Sequence, residues 1–136
     1  VKAPYRIDHL GLAVRSIGEA SRFYRDVLGL TEQGHEEIPS QKVRVVFFEV
    51  GEVRIELLEP TAEDSPIARF LDQKGPGLHH ISYRVEDLPA TLAALKSAGV
   101  RLIDERPRDG AQGMKIAFAH PQSTEGVLTE FCQAVG

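Results

Sequence analysis

Two histidines and two glutamates stand at matching places in the two halves of this chain: His9 with Glu56, and His80 with Glu130. Each pair is spread over nearly the same length, 47 residues from His9 to Glu56 (56 − 9) and 50 from His80 to Glu130 (130 − 80). Imidazole nitrogens and carboxylate oxygens form a mixed donor set that suits Zn, Co, Ni, Mn or Fe(II), and two carboxylates balance a divalent charge. No compact HExxH or CxxC is present, so only the fold can bring such ligands together. A glutamate alone in a strand reads as a solvated outer residue; its recurrence in both halves is what singles out this set.

The positioning elements follow from periodicity. "RIDHLGLAV" alternates, with Leu10, Leu12 and Val14 on one side and His9, Gly11 and Ala13 on the other, which predicts a strand with two unlike faces. Ser16 is placed as a helix N-cap, Ile17, Ala20, Phe23, Tyr24, Val27 and Leu28 follow at helical spacing, and Gly29 closes the helix. "KVRVVFFEV" and "VRIELLE", joined by Gly51 and Glu52, read as a tight hairpin. In "GLHHISYRVEDL", residues 77–88, the pattern returns: His80, Ser82 and Arg84 alternate with Ile81, Tyr83 and Val85, and Asp87 caps a helix that Gly99 ends. "RLIDERP", "KIAFAHP" and "GVLTEFCQ" supply three further strands.

Each half is therefore strand, helix, strand, strand, strand, a duplicated unit with a one-residue slip. The expectation is a single domain over residues 1–136, with one module at about 6–60, a linker helix at about 61–76 and a second module at about 77–134. His79 falls on the helix-facing side, and His35 and His120 read as loop residues.

The chain has 136 residues, a net charge of −4 and no long apolar run, which argues against a membrane span and against a nucleic-acid partner. Its single cysteine, Cys132, makes no internal disulfide and reads as small core filling. A cytoplasmic location fits best, although a removed targeting peptide would leave no trace.

The duplicated unit with His and Glu on its first and last strands resembles the vicinal oxygen chelate superfamily. More narrowly, "IDHLGLAV", "RIELLEPTAEDSPIARFL", "GLHHISYRV" and "FAHPQSTEGVLTEF" are similar to the methylmalonyl-CoA epimerases, from Ile7 to Phe131. The resemblance implies an α+β fold in which two tandem βαβββ modules form a curved eight-stranded cup, and a homodimer. It also implies one divalent metal ion per chain, with Co2+ favoured and Mn2+, Zn2+ or Ni2+ as alternatives. The implied metal ligands are His9, Glu56, His80 and Glu130, the same set the faces select. Some members carry Gln where this chain has Glu56, so metal preference does not transfer.

The implied reaction is interconversion of (2R)- and (2S)-methylmalonyl-CoA through a metal-stabilised enolate, with a CoA thioester as substrate and Glu130 as ligand and acid/base group. A glutamate that some members use on the third strand aligns with Val45, which carries no proton. Glu49, placed opposite Arg54 by a Gly51–Glu52 turn, is a weaker catalytic candidate whose simpler role is a cross-strand ion pair. Glu37 and a metal-bound water are further options. Gly110, Gly113 and Lys115 offer a loop and a charge for CoA, or simply a turn and an exposed lysine. The rival functions are a glyoxalase-type isomerase or lyase of the same superfamily, and a metal-free small-molecule binding protein.

Overall fold

The computed structural model describes residues 2–135. The element order is β1 (Arg6–Ala13), α1 (Ile17–Ser21, prolonged by a π-helical stretch, Arg22–Val27), β2 (Glu32–Ile38), β3 (Val43–Val50), β4 (Val53–Pro60) and α2 (Pro66–Lys74). It continues as β5 (Gly77–Arg84), α3 (Leu88–Ser97), β6 (Arg108–Asp109), β7 (Lys115–Ala119) and β8 (Thr129–Gln133). The α+β class and the eight strands agree with the sequence expectation. No described helix is long and apolar enough to cross a membrane.

By their internal contacts the residues form two compact units, one of His9–His79 and one of the chain up to Asp8 together with everything from His80 on. In the first unit the strand order is β2-β3-β4-β1, with β1 parallel to β4 and the other neighbours antiparallel. Val46, Phe48 and Leu57 are the buried centre of its core, with Leu12, Ile17, Ala20, Tyr24 and Ile55 packed around them. The second unit repeats the plan as β5-β8-β7-β6, with β5 parallel to β8. Its core gathers Val85, Leu88, Leu92, Ala117, Ala119 and Phe131. At the unit's start, buried Asp8 accepts a 2.5 Å hydrogen bond from Arg84.

Helix signals act where they were read. The Ser16 hydroxyl accepts from the Glu19 N–H, and the Asp87 carboxylate from the Ala90 N–H. Gly29 and Gly99 follow the helices at φ +83° and +85°, a region closed to most side chains. The slip between the halves has a physical home. Gly29 lies 13 residues beyond its cap (29 − 16) and Gly99 only 12 beyond its own (99 − 87). The extra residue is taken up by the π turn, where the Leu28 N–H reaches back to the Phe23 carbonyl.

Two expectations need correction. "RLIDERP" is not a strand: it retains one isolated bridge, Leu102 to Ala119, and β6 starts only at Arg108. The N–H groups of Ile103 and Asp104 both turn to the Phe118 carbonyl, while the Asp104 carboxylate accepts from the Phe118 N–H. A side chain thus takes a bond that a strand ladder would have used, and Pro107 cannot donate. His35 is not a loop residue either: it lies in β2, opposite Val46. β2 escapes a periodicity reading because "EQGHEEI" has one apolar residue, as befits a charged edge strand.

Replacing Gly99 by alanine should lower stability by about 1–2 kcal/mol, the cost of a β-carbon in the left-handed region. Denaturant unfolding should show a lower midpoint with an unchanged slope. An unchanged midpoint would contradict this conformation.

Candidate metal and acid/base site

In the unit His9–His79, parallel pairing sets His9 beside Arg54 and Gly11 beside Glu56, and antiparallel pairing sets Phe47 opposite Glu56. His9 and Glu56 therefore share one face of the strands, while Ile55 and Leu57 point into the core. His9 Nδ1 lies 3.3 Å from Glu56 Oε2. The same oxygen accepts a 3.2 Å hydrogen bond from Arg54, whose guanidinium stacks 5.3 Å from the centre of the Phe47 ring.

The second unit has a pair of its own. His80 Nε2 is 3.9 Å from Glu130 Oε1, and the Phe118 ring, whose residue opposes Glu130 in the sheet, meets the imidazole edge-on at 5.6 Å. Arg108 lies over the same ring, 5.3 Å from the Phe118 centroid. All four residues are buried, with exposures of 6% for His9, 3% for Glu56, 5% for His80 and 4% for Glu130. Four ionisable side chains held so deeply are rare unless paired or bound to metal. His9, Glu56 and His80 can each give one ligand atom to a divalent cation, and imidazole with carboxylate is a donor set such ions accept.

The other candidates have separate fates. Glu49 does oppose Arg54, through the two-residue turn of Gly51 and Glu52, and is exposed near the hairpin end. Glu37 opposes Arg44 and forms an ion pair with it at 3.9 Å, on the face opposite to Glu56. His79 is half-buried against Phe70 of α2, with ring centres 5.1 Å apart, on the side expected. His120 caps a short turn by accepting from the Gln122 N–H. Lys115 forms an ion pair with Asp109 at the surface, so its charge already has a partner. Arg54 and Phe118 were not singled out as neighbours of the ligands. Parity could have suggested Arg54, two residues before Glu56.

Cys132 shares the Glu130 face of β8 and packs with Met114, Ile116 and Phe118. Burial pushes its thiol up to about 12, which keeps the sulfur protonated and inert.

The sequence model of the "Glyoxalase/Bleomycin resistance protein/Dioxygenase superfamily" matches residues 8–118. The chain belongs to this superfamily. Over 131 residues it is 50% identical to the uncharacterized protein YqjC of Bacillus subtilis, covering 96% of this chain and 94% of that one. It is 40% identical to the ethylmalonyl-CoA/methylmalonyl-CoA epimerase of Cereibacter sphaeroides, covering 94% of this chain and 97% of the relative. A variant of the Streptomyces coelicolor methylmalonyl-CoA epimerase, in complex with 2-nitronate-propionyl-CoA, superposes with a TM-score of 0.94 at 34% identity, over 98% of this chain and 97% of that one. The eight-stranded α+β fold is thus the fold of this superfamily.

At about pH 8, where a free thiol is partly ionised, Cys132 should label with a thiol reagent only as the protein unfolds. Rapid labelling of the native protein would contradict its burial.

Proposed function

We propose that this protein is a metal-dependent epimerase that interconverts (2R)- and (2S)-methylmalonyl-CoA by moving the proton at C2. The observation that carries the reading is the recurrence of a buried His–Glu pair at matching strand positions, His9 with Glu56 and His80 with Glu130. In this reading the two pairs hold a single divalent ion, with cobalt the first choice and manganese, zinc or nickel as alternatives. The bound ion supplies Lewis acidity toward the negative charge that develops on the thioester oxygen. The reading gains support from the relative named for epimerase activity and from the epimerase complex with a CoA ligand.

Glu130 carries the proton. An ionised Glu130 takes it from C2 on one face, and a protonated Glu130 returns it on that same face in the reverse direction. Burial beside Phe118 keeps bulk water away from the carboxylate, which strengthens charge interactions within the site. Glu49 is retained as a weaker candidate for a second group. The chain is further proposed to act as a homodimer in the cytoplasm. Phe23, Val27 and Leu28, exposed together on and just after the π turn, are one apolar patch that such a dimer would cover.

In heavy water, the C2 proton of methylmalonyl-CoA should exchange rapidly with Co2+ or Mn2+ present and stop on adding a chelator. No exchange with any metal would refute the reading. Glu130→Gln should slow exchange by about 100-fold or more while leaving the protein folded. Metal should also raise the melting temperature: at about 100 times its dissociation constant it adds about 2.7 kcal/mol. A melt indifferent to metal would favour metal-free binding.

A further inference from the structure

Inverting C2 requires proton transfer on both faces of that carbon, and one carboxylate addresses only one face. The epimerase reading therefore needs a partner for Glu130, and the strand registers narrow the choice. Directly opposed residues of an antiparallel pair share a face, and so do residues two apart along a strand. Phe47 opposes Glu56, which puts Val45 and Glu49 on the Glu56 face of β3. Glu36 opposes Val45 and so lies on that face of β2.

The remaining glutamates of β2 to β4 lie on the other face. Glu37 and Glu59 oppose Arg44, and Glu32 opposes Phe48, which is packed in the helix-facing core. Of the two that share the face of Glu56, Glu49 stands one residue before the end of β3 and is exposed. Glu36 is within β2, half-buried, while Gln33, His35 and Glu37 around it are exposed. It lies beside Val45, which is almost fully buried and adds an apolar neighbour where a base gains from exclusion of water. Two strand spacings and two residues of offset separate the Glu36 and Glu56 α-carbons by about 12 Å on a flat sheet, space enough for a small acyl group between their side chains.

We propose that Glu36 is the second acid/base group, an assignment that rests on the epimerase reading. In one direction the Glu36 carboxylate accepts the C2 proton, the C–H electron pair passes into the thioester enolate, and protonated Glu130 gives its proton to the opposite face. The cycle leaves Glu36 protonated and Glu130 ionised, which is the starting state for the other epimer; exchange with solvent resets both.

The test follows each epimer separately in heavy water, with cobalt-loaded wild type, Glu36→Gln and Glu130→Gln. Glu36→Gln should lose epimerisation by about 100-fold or more yet still exchange the C2 proton of the one epimer that Glu130 serves. Glu130→Gln should lose exchange of that epimer. Cobalt titration of Glu36→Gln should match wild type, which shows that fold and metal site are intact. Epimerisation by Glu36→Gln at the wild-type rate would overturn the assignment, as would equal loss of exchange for both epimers. The same one-epimer pattern in Glu49→Gln, with Glu36→Gln unaffected, would move the role to Glu49. A wild type that exchanges neither epimer would instead remove the epimerase reading, and this role with it.

Discussion

Each unit is organised around an imidazole and a carboxylate kept out of water on one face of its strands. Such groups are costly to bury unless their charge is answered, so the neighbouring residues are constrained in type and in register. In the first unit Arg54 answers Glu56 and is itself supported by the Phe47 ring. In the second, Phe118 packs against His80 and Arg108 lies over Phe118. The opposite face carries the apolar side chains that secure the helices, so a one-residue shift of β4 or β8 would send the carboxylate into the core. Stability and placement of the polar pair thus depend on the same registers.

Where the two faces differ strongly, the sequence was legible. "VRIELLE" alternates sharply enough to place Glu56 opposite to Ile55 and Leu57, and the turn at Gly51 and Glu52 placed Glu49 across from Arg54. The caps at Ser16 and Asp87 and the glycines at 29 and 99 could be read because each has a local mechanism. Legibility failed where a bond or a charge outweighed pattern. β2 has almost no apolar signal, so the strand that carries Glu36 could not be read from alternation. Around Asp104 a carboxylate displaces a backbone partner, a substitution that leaves no periodic trace.

Fold and chemistry are also unequally distributed among the strands. Val45, Phe47 and Leu57 are nearly sealed from water, and their identities are limited by volume. β2, at the edge, contributes one buried side chain, Ile38. Its other positions face few packing demands, so a reactive group there is gained or lost at little cost to the core.

The π turn has a consequence of a different kind. An inserted residue usually rotates everything that follows it, yet here the widened turn is closed off between Ser16 and Gly29, and β2 starts at Glu32. Phe23, Val27 and Leu28 lie exposed on and just after that turn. The two halves can thus differ by one residue between cap and closing glycine while each keeps its own polar pair on one face of its strands.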